Sequence, residues 1–205
     1  LIIYFRTMNY LAHIFLSGKD DFLKLGNFMA DEIKGKSYLS YPIDIQKGIL
    51  LHRAIDDYTD HHPLVSKGAH RFFDELGHYN SVVIDMIYDH ILAKNWNAYS
   101  KVKLSVFADE FYMLLDSNQH ILPQKISKVV PYMIEHNWLL SYAKIESLRD
   151  ILTQMNHKTK HETELHKGVD IYLNHQSLFE EEFIVFFDDM QGFCKKKINE
   201  LNKGL

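Results

Sequence analysis

Chemistry follows from one feature of this sequence, a set of polar residues spaced four apart inside otherwise apolar segments. Asn9 and His13 stand in Met8-Asn-Tyr-Leu-Ala-His-Ile-Phe-Leu16, and Asn27 and Asp31 stand in Leu25-Gly-Asn-Phe-Met-Ala-Asp-Glu-Ile33. His52, Asp56 and Asp60 step along Leu50-Leu-His-Arg-Ala-Ile-Asp-Asp-Tyr-Thr-Asp60, and Asp85 and Asp89 stand in Val82-Val-Ile-Asp-Met-Ile-Tyr-Asp-His-Ile-Leu92, with His90 beside Asp89. Residues i and i+4 share one face of an α-helix, so each segment presents its polar groups together. Burying an unpartnered carboxylate costs several kcal/mol, and burying four or five would exceed the roughly 5–15 kcal/mol that holds a domain folded. A divalent cation neutralises several at once. Carboxylate and imidazole without thiolate suit Mn²⁺, Fe²⁺, Mg²⁺ or Zn²⁺ better than a structural cysteine–zinc site does. With Asn9, Asn27 and Thr59 available to orient the ligands, the set reads as a hydrolytic metal centre.

The strongest pair is His52 with Asp56, because two such ligands on one face of an apolar helix rarely serve packing. Asn9 and His13 alone read as a buried hydrogen-bonded pair, and Asn27 could equally make a tight helix contact beside Gly26. Asp60 could instead cap the turn at His61, His62 and Pro63. Asp85 reads as a surface residue paired with a neighbouring base. His70, His78, His157, His161, His166 and His175 read as solvated or structural, and Trp96 and Trp138 as core.

Helices must position these groups. Only 4 Pro and 9 Gly punctuate 205 residues, and apolar positions repeat at three and four rather than two, so an all-α fold is expected. Asp20 and Asp21 precede a predicted helix to about Gly35. Pro42 opens a second through about Asp60, and Pro63 opens a third. Asn80 and Ser81 cap a fourth through Trp96, and Ser105 begins a stretch to about Asn118. Pro123 and Pro131 open a broken pair ending near Tyr142. A stripe runs from Ile145 to Met155, and one long helix closes the chain from about Thr163. The length suits one helical domain over residues 8–205, with Met8 a natural start and residues 1–7 an upstream extension. A single cysteine, Cys194, and no apolar run near 20 residues point to a soluble chain in a reducing cytoplasm. The formal charge of -4 argues against a nucleic-acid binder.

At these residues the sequence resembles the bacterial acyl carrier protein phosphodiesterase family. The motifs are Asn9-Tyr-Leu-Ala-His13, Gly26-Asn-Phe-Met-Ala-Asp31, Gly48-Ile-Leu-Leu-His-Arg-Ala-Ile-Asp-Asp-Tyr-Thr-Asp60 and Asp85-Met-Ile-Tyr-Asp-His-Ile-Leu-Ala-Lys-Asn-Trp96, in register over residues 8 to about 200. The resemblance implies a helical fold distantly like the HD-type metal phosphohydrolases, dependence on a divalent ion such as Mn²⁺, and removal of 4'-phosphopantetheine from holo-acyl carrier protein. Carried over, Asp31, His52, Asp56 and Asp89 are the expected metal ligands, while Arg53, Asp60 and His90 assist. The wider superfamily has His then Asp where this chain has Asp89 then His90, so either of the two is a candidate ligand.

In such a centre the ion lowers the pKa of water, Arg53 holds the phosphate and His90 protonates the departing serine oxygen. The carrier protein is acidic, so attraction requires a local basic patch, with Lys34 and Lys36 or Lys67 and Arg71 as candidates. A nucleotide or other small phosphodiester is an alternative substrate, and a non-enzymatic helical binding module an alternative role.

Overall fold

A computed structural model describes residues 10–156, 159 and 163–204. The described residues form helices and no strand, as the three- and four-residue periodicity implies. In chain order the helices are α1 (Tyr10–Leu16), α2 (Asp21–Met29), α3 (Ile43–His61), α4 (Pro63–His70), α5 (Phe73–Leu76), α6 (Asn80–Lys94) and α7 (Trp96–Tyr99). They continue as α8 (Leu104–Ser117), α9 (Gln124–Glu135), α10 (Trp138–Ser141), α11 (Ile145–Asn156), α12 (Lys167–Asn174) and α13 (Gln176–Gly204). None is long and apolar enough to cross a membrane.

Local chemistry sets the boundaries that matter for the site. Asp20 starts α2 by accepting the Leu23 N–H in its side chain, Pro63 opens α4 as its first residue, and Pro42 stands one position earlier than a first-turn proline, as the cap residue before α3. α2 ends earlier than expected. It is followed by a 3₁₀ turn at Ala30–Glu32, which carries Asp31. Two other expectations are corrected. α9 runs straight through Pro131, and the break falls at Asn137, which adopts a left-handed φ of 44°. The closing segment is two helices, interrupted at His175.

α2 lies directly on α3, and two glycines make that possible. A Cβ on Gly26 would run into the Ile45 carbonyl oxygen and stand 2.9 Å from Gly48 Cα, and a Cβ on Gly48 would meet the Leu23 carbonyl oxygen. The helices therefore cross main chain against main chain, with Asn27 one residue beyond the contact. α13 closes the other side, where Phe183, Phe186 and Phe187 are buried against Phe15, Tyr88 and Tyr99. Trp96 is buried and Trp138 packs on the core, as expected.

Candidate metal centre

α1 supplies His13, α2 supplies Asn27, the following 3₁₀ turn supplies Asp31, and α3 supplies His52 and Asp56. The imidazoles of His13 and His52 stack with centroids 4.3 Å apart, both buried. One oxygen holds both rings. Asn27 Oδ1 lies 2.8 Å from His13 Nδ1 and 3.0 Å from His52 Nδ1. The amide cannot be turned around, because its nitrogen donates to the His13 carbonyl at 3.0 Å and to Ser17 Oγ at 2.9 Å. A carbonyl oxygen only accepts, so each ring must carry its hydrogen on Nδ1, leaving both Nε2 atoms facing the same space.

Asp56 closes that space. Its Oδ1 is 3.3 Å from His13 Nε2 and its Oδ2 is 3.2 Å from His52 Nε2, while Asp31 Oδ1 is 3.4 Å from His52 Nε2. Ligand atoms of His13, His52 and Asp56 all lie within 4.8 Å of one another. His13 Nε2 is buried without a hydrogen-bond partner among the described residues, since its approach to Asp56 lacks hydrogen-bond geometry. Asp31 and Asp56 are partly exposed, so the cluster has an open mouth. Burial opposes charge on His52, but the hydrogen bonds and charges of Asp31 and Asp56 outweigh it and push its pKa up to about 9. Burial also works against ionised Asp56, yet the imidazoles of His13 and His52 facing its two oxygens hold its carboxyl well below the usual range.

The family resemblance implies His52, Asp56 and Asp31 as ligands, and the fold brings those three together. His13, read from sequence as half of a buried hydrogen-bonded pair that supports the ligands, offers a ligand atom directly. Asp89 does not join them. Its oxygens accept the Leu11 and Ala12 N–H groups, each at 2.9 Å, so it caps the first turn of α1 from another helix. Burial outweighs those two bonds and pushes its pKa up to about 7. His90 is also displaced from its expected role. Its Nδ1 lies 2.8 Å from the Tyr142 carbonyl and its ring packs edge-on to Tyr172, inside the core.

Arg53 turns to the chain rather than to a ligand, donating from one nitrogen to the Ile33 and Gly35 carbonyls, each at 2.9 Å, with its guanidinium over Tyr38. It thereby ties down the loop after Asp31. Thr59 and Asp89 line a cavity of about 30 Å³ behind His13, and Asp60 is exposed one turn beyond Asp56. Asn9 lies outside the described residues.

Asp85, read from sequence as a paired surface carboxylate, has no base beside it among the described residues. It shares the cavity behind His13, where burial pushes its pKa well above the carboxylate range and Asp56, Asp60, Asp89 and Asp31 reinforce the shift.

The basic patches divide. Lys67 and Arg71 are engaged internally: Arg71 makes a bidentate pair with Glu182 of α13 at 2.6 and 2.7 Å, and Lys67 reaches the same carboxylate at 2.9 Å. Lys34 and Lys36 remain exposed on the loop that follows Asp31, with Lys34 Nζ donating to the Asp31 carbonyl at 2.7 Å.

Residues 8–190 match the family model for acyl carrier protein phosphodiesterase. The chain belongs to that family. Among curated relatives, the acyl carrier protein phosphodiesterase of Pectobacterium atrosepticum is 30% identical over 92% of this chain and 98% of its own length. That of Photorhabdus laumondii is 29% identical over 93% of this chain and 96% of its own. No solved structure matches. Membership in the acyl carrier protein phosphodiesterase family makes the chain a hydrolase of phosphodiester bonds.

Proposed function

We propose that this protein hydrolyses the phosphodiester joining 4'-phosphopantetheine to the serine of holo-acyl carrier protein, releasing apo-carrier protein, with a divalent ion held by His13, His52, Asp56 and Asp31. The observation that carries the metal is the convergence of two Nε2 atoms on Asp56 while one amide oxygen occupies both Nδ1 positions. Orientation of a ligating imidazole through its other nitrogen is the usual support of a metal site. The unpartnered His13 Nε2 fits the same reading, since a buried nitrogen lone pair needs a donor or a cation. Carboxylate and imidazole donors are compatible with Mn²⁺, Mg²⁺, Fe²⁺ or Zn²⁺, and the family resemblance is what points to Mn²⁺ among them.

A bound divalent ion supplies Lewis acidity towards the phosphodiester and towards water. The chain does the positioning. Asn27 and Ser17 fix the imidazoles, the 3₁₀ turn supplies Asp31, and Arg53 anchors the loop carrying Lys34 and Lys36. Those lysines are the cations placed to meet an anionic diester and an acidic carrier protein. The helical frame with its histidine and aspartate set supports the distant likeness to HD-type phosphohydrolases. Intact-mass analysis of holo-acyl carrier protein incubated with the protein and Mn²⁺ tests the reading. Loss of the phosphopantetheine mass, abolished by chelation and by His52→Ala, is expected; an unchanged mass overturns it.

A further inference from the structure

A second, open cavity of about 250 Å³ lies between α3, α4 and α6. Asp60 and Asp85 line it beside Asn80, with the exposed Ser66, His70 and Ser81 at its rim. Its floor is apolar, from Val65, Ala69 and Ile84. Two features join it to the metal cluster. Asp60 follows Asp56 by one turn of α3, a distance of about 6 Å along the same face. Asp85 lines both this cavity and the one behind His13.

Among the described residues the lining offers carboxyl, hydroxyl, amide and imidazole groups and no lysine or arginine, so the cavity can both donate to and accept from a neutral polar ligand and is not built for another phosphate. It offers no Trp, Tyr or Phe face on which a nucleobase would stack. A pantetheine chain has the matching chemistry. Its amide N–H groups and hydroxyl donate, its amide carbonyls accept from serine hydroxyls and the Asn80 amide, and its gem-dimethyl group suits the apolar floor.

We propose that this cavity receives the pantetheine arm of the substrate, leaving the phosphodiester at the Asp56 end and the carrier protein outside. The assignment rests on the reading of the substrate given above. In this arrangement specificity for the arm resides in α4 and the first turn of α6, apart from the metal ligands.

Titration of the metal-free protein with pantetheine, which has no phosphate, isolates the arm from the metal. Heteronuclear NMR or calorimetry should detect binding to the wild type, weakened at least tenfold by Ser81→Trp and severalfold by Asn80→Ala, with adenosine not binding. Neither position is buried, and unchanged circular dichroism and melting of each variant establish that the fold is intact. The Michaelis constant for holo-acyl carrier protein should rise in parallel. Absence of pantetheine binding to the wild type, or equal binding by wild type and Ser81→Trp, overturns the assignment. The two proposals fail separately: pantetheine binding without hydrolysis of the carrier protein overturns the reading of the reaction alone. Hydrolysis with a Michaelis constant indifferent to Ser81→Trp overturns the arm site alone.

Discussion

Replacing Asn27 with leucine tests the arrangement most directly. Leucine is close to asparagine in volume, so little cavity is created and the effect is one of hydrogen bonding. Four bonds disappear: the two accepted from His13 and His52, and the two donated to the His13 carbonyl and Ser17. Ser17 keeps its own bond to the His13 carbonyl at 2.9 Å, so the lasting damage is two buried Nδ1–H groups without an acceptor. Each orphaned donor costs about 1–3 kcal/mol, giving about 2–6 kcal/mol for the pair, against a total of about 5–15 kcal/mol for a domain. The variant should therefore fold with a clearly lower urea midpoint. Loss of a partner that orients one metal-ligating histidine typically costs 10- to 100-fold in affinity, and here one side chain orients two, so Mn²⁺ binding by calorimetry should weaken roughly 100-fold or more. Asn27→Asp, which still accepts from both rings, should recover part of the Mn²⁺ affinity. A variant Asn27→Leu with wild-type urea midpoint and wild-type Mn²⁺ affinity would refute the idea that this amide sets the ring geometry.

Other consequences are equally open to measurement. His13→Ala should abolish Mn²⁺ binding and hydrolysis as fully as His52→Ala, whereas His90→Phe should leave Mn²⁺ affinity within about threefold, measured by calorimetry on variants of matched circular dichroism. The folded pKa of His52, about 9, lies above its ordinary 6.5. The stability it contributes to the metal-free protein is thus complete below about pH 6.5 and lost as pH rises through about 9, while Mn²⁺ affinity should climb over the same window because the metal displaces the proton. Urea titrations at several pH values with and without Mn²⁺ will show opposite slopes if this is right. Gly26→Ala should cost at least about 1–3 kcal/mol, read from the urea midpoint, because the backbone of α3 occupies the methyl position. Arg71→Ala leaves Glu182 buried without its bidentate partner and should lower the melting temperature by several degrees, whereas Lys36→Glu should leave it unchanged and slow association with an acidic carrier protein at low salt.

Much of this was legible in residue order, and the remainder fails for identifiable reasons. Helix starts at Pro42 and Pro63 and the shared face of His52 and Asp56 follow from one-dimensional spacing. His13 reads as a partner of Asn9 because the two are four apart; Asn9 lies outside the described residues, and the acceptor that holds His13 Nδ1 is Asn27, on another helix, which spacing along one helix cannot reveal. Asp85 and Asp89 are also four apart, so periodicity alone cannot say which serves the site. The decision comes from the start of α1, whose bare N–H groups claim Asp89 and leave Asp85 facing the cavities. Arg53, Lys67 and Arg71 were assigned to anions by charge, but carbonyls of a distant loop and a carboxylate far along the chain take them in the fold. Pro131 reads as opening a new helix because a proline inside a helix is disfavoured by local rules, yet it lies within α9 and the break falls later, at Asn137.

The glycine crossing of α2 and α3 has a consequence for how such a chain can vary. Side-chain packing normally sets the gap between two helices, so each apolar exchange in the core shifts what those helices carry. Here the gap is set by peptide units in contact, and no exchange of leucine for isoleucine elsewhere can widen it. Apolar exchanges elsewhere in the interior therefore leave unchanged the distance between the Asn27 amide on one helix and the His52 imidazole on the other.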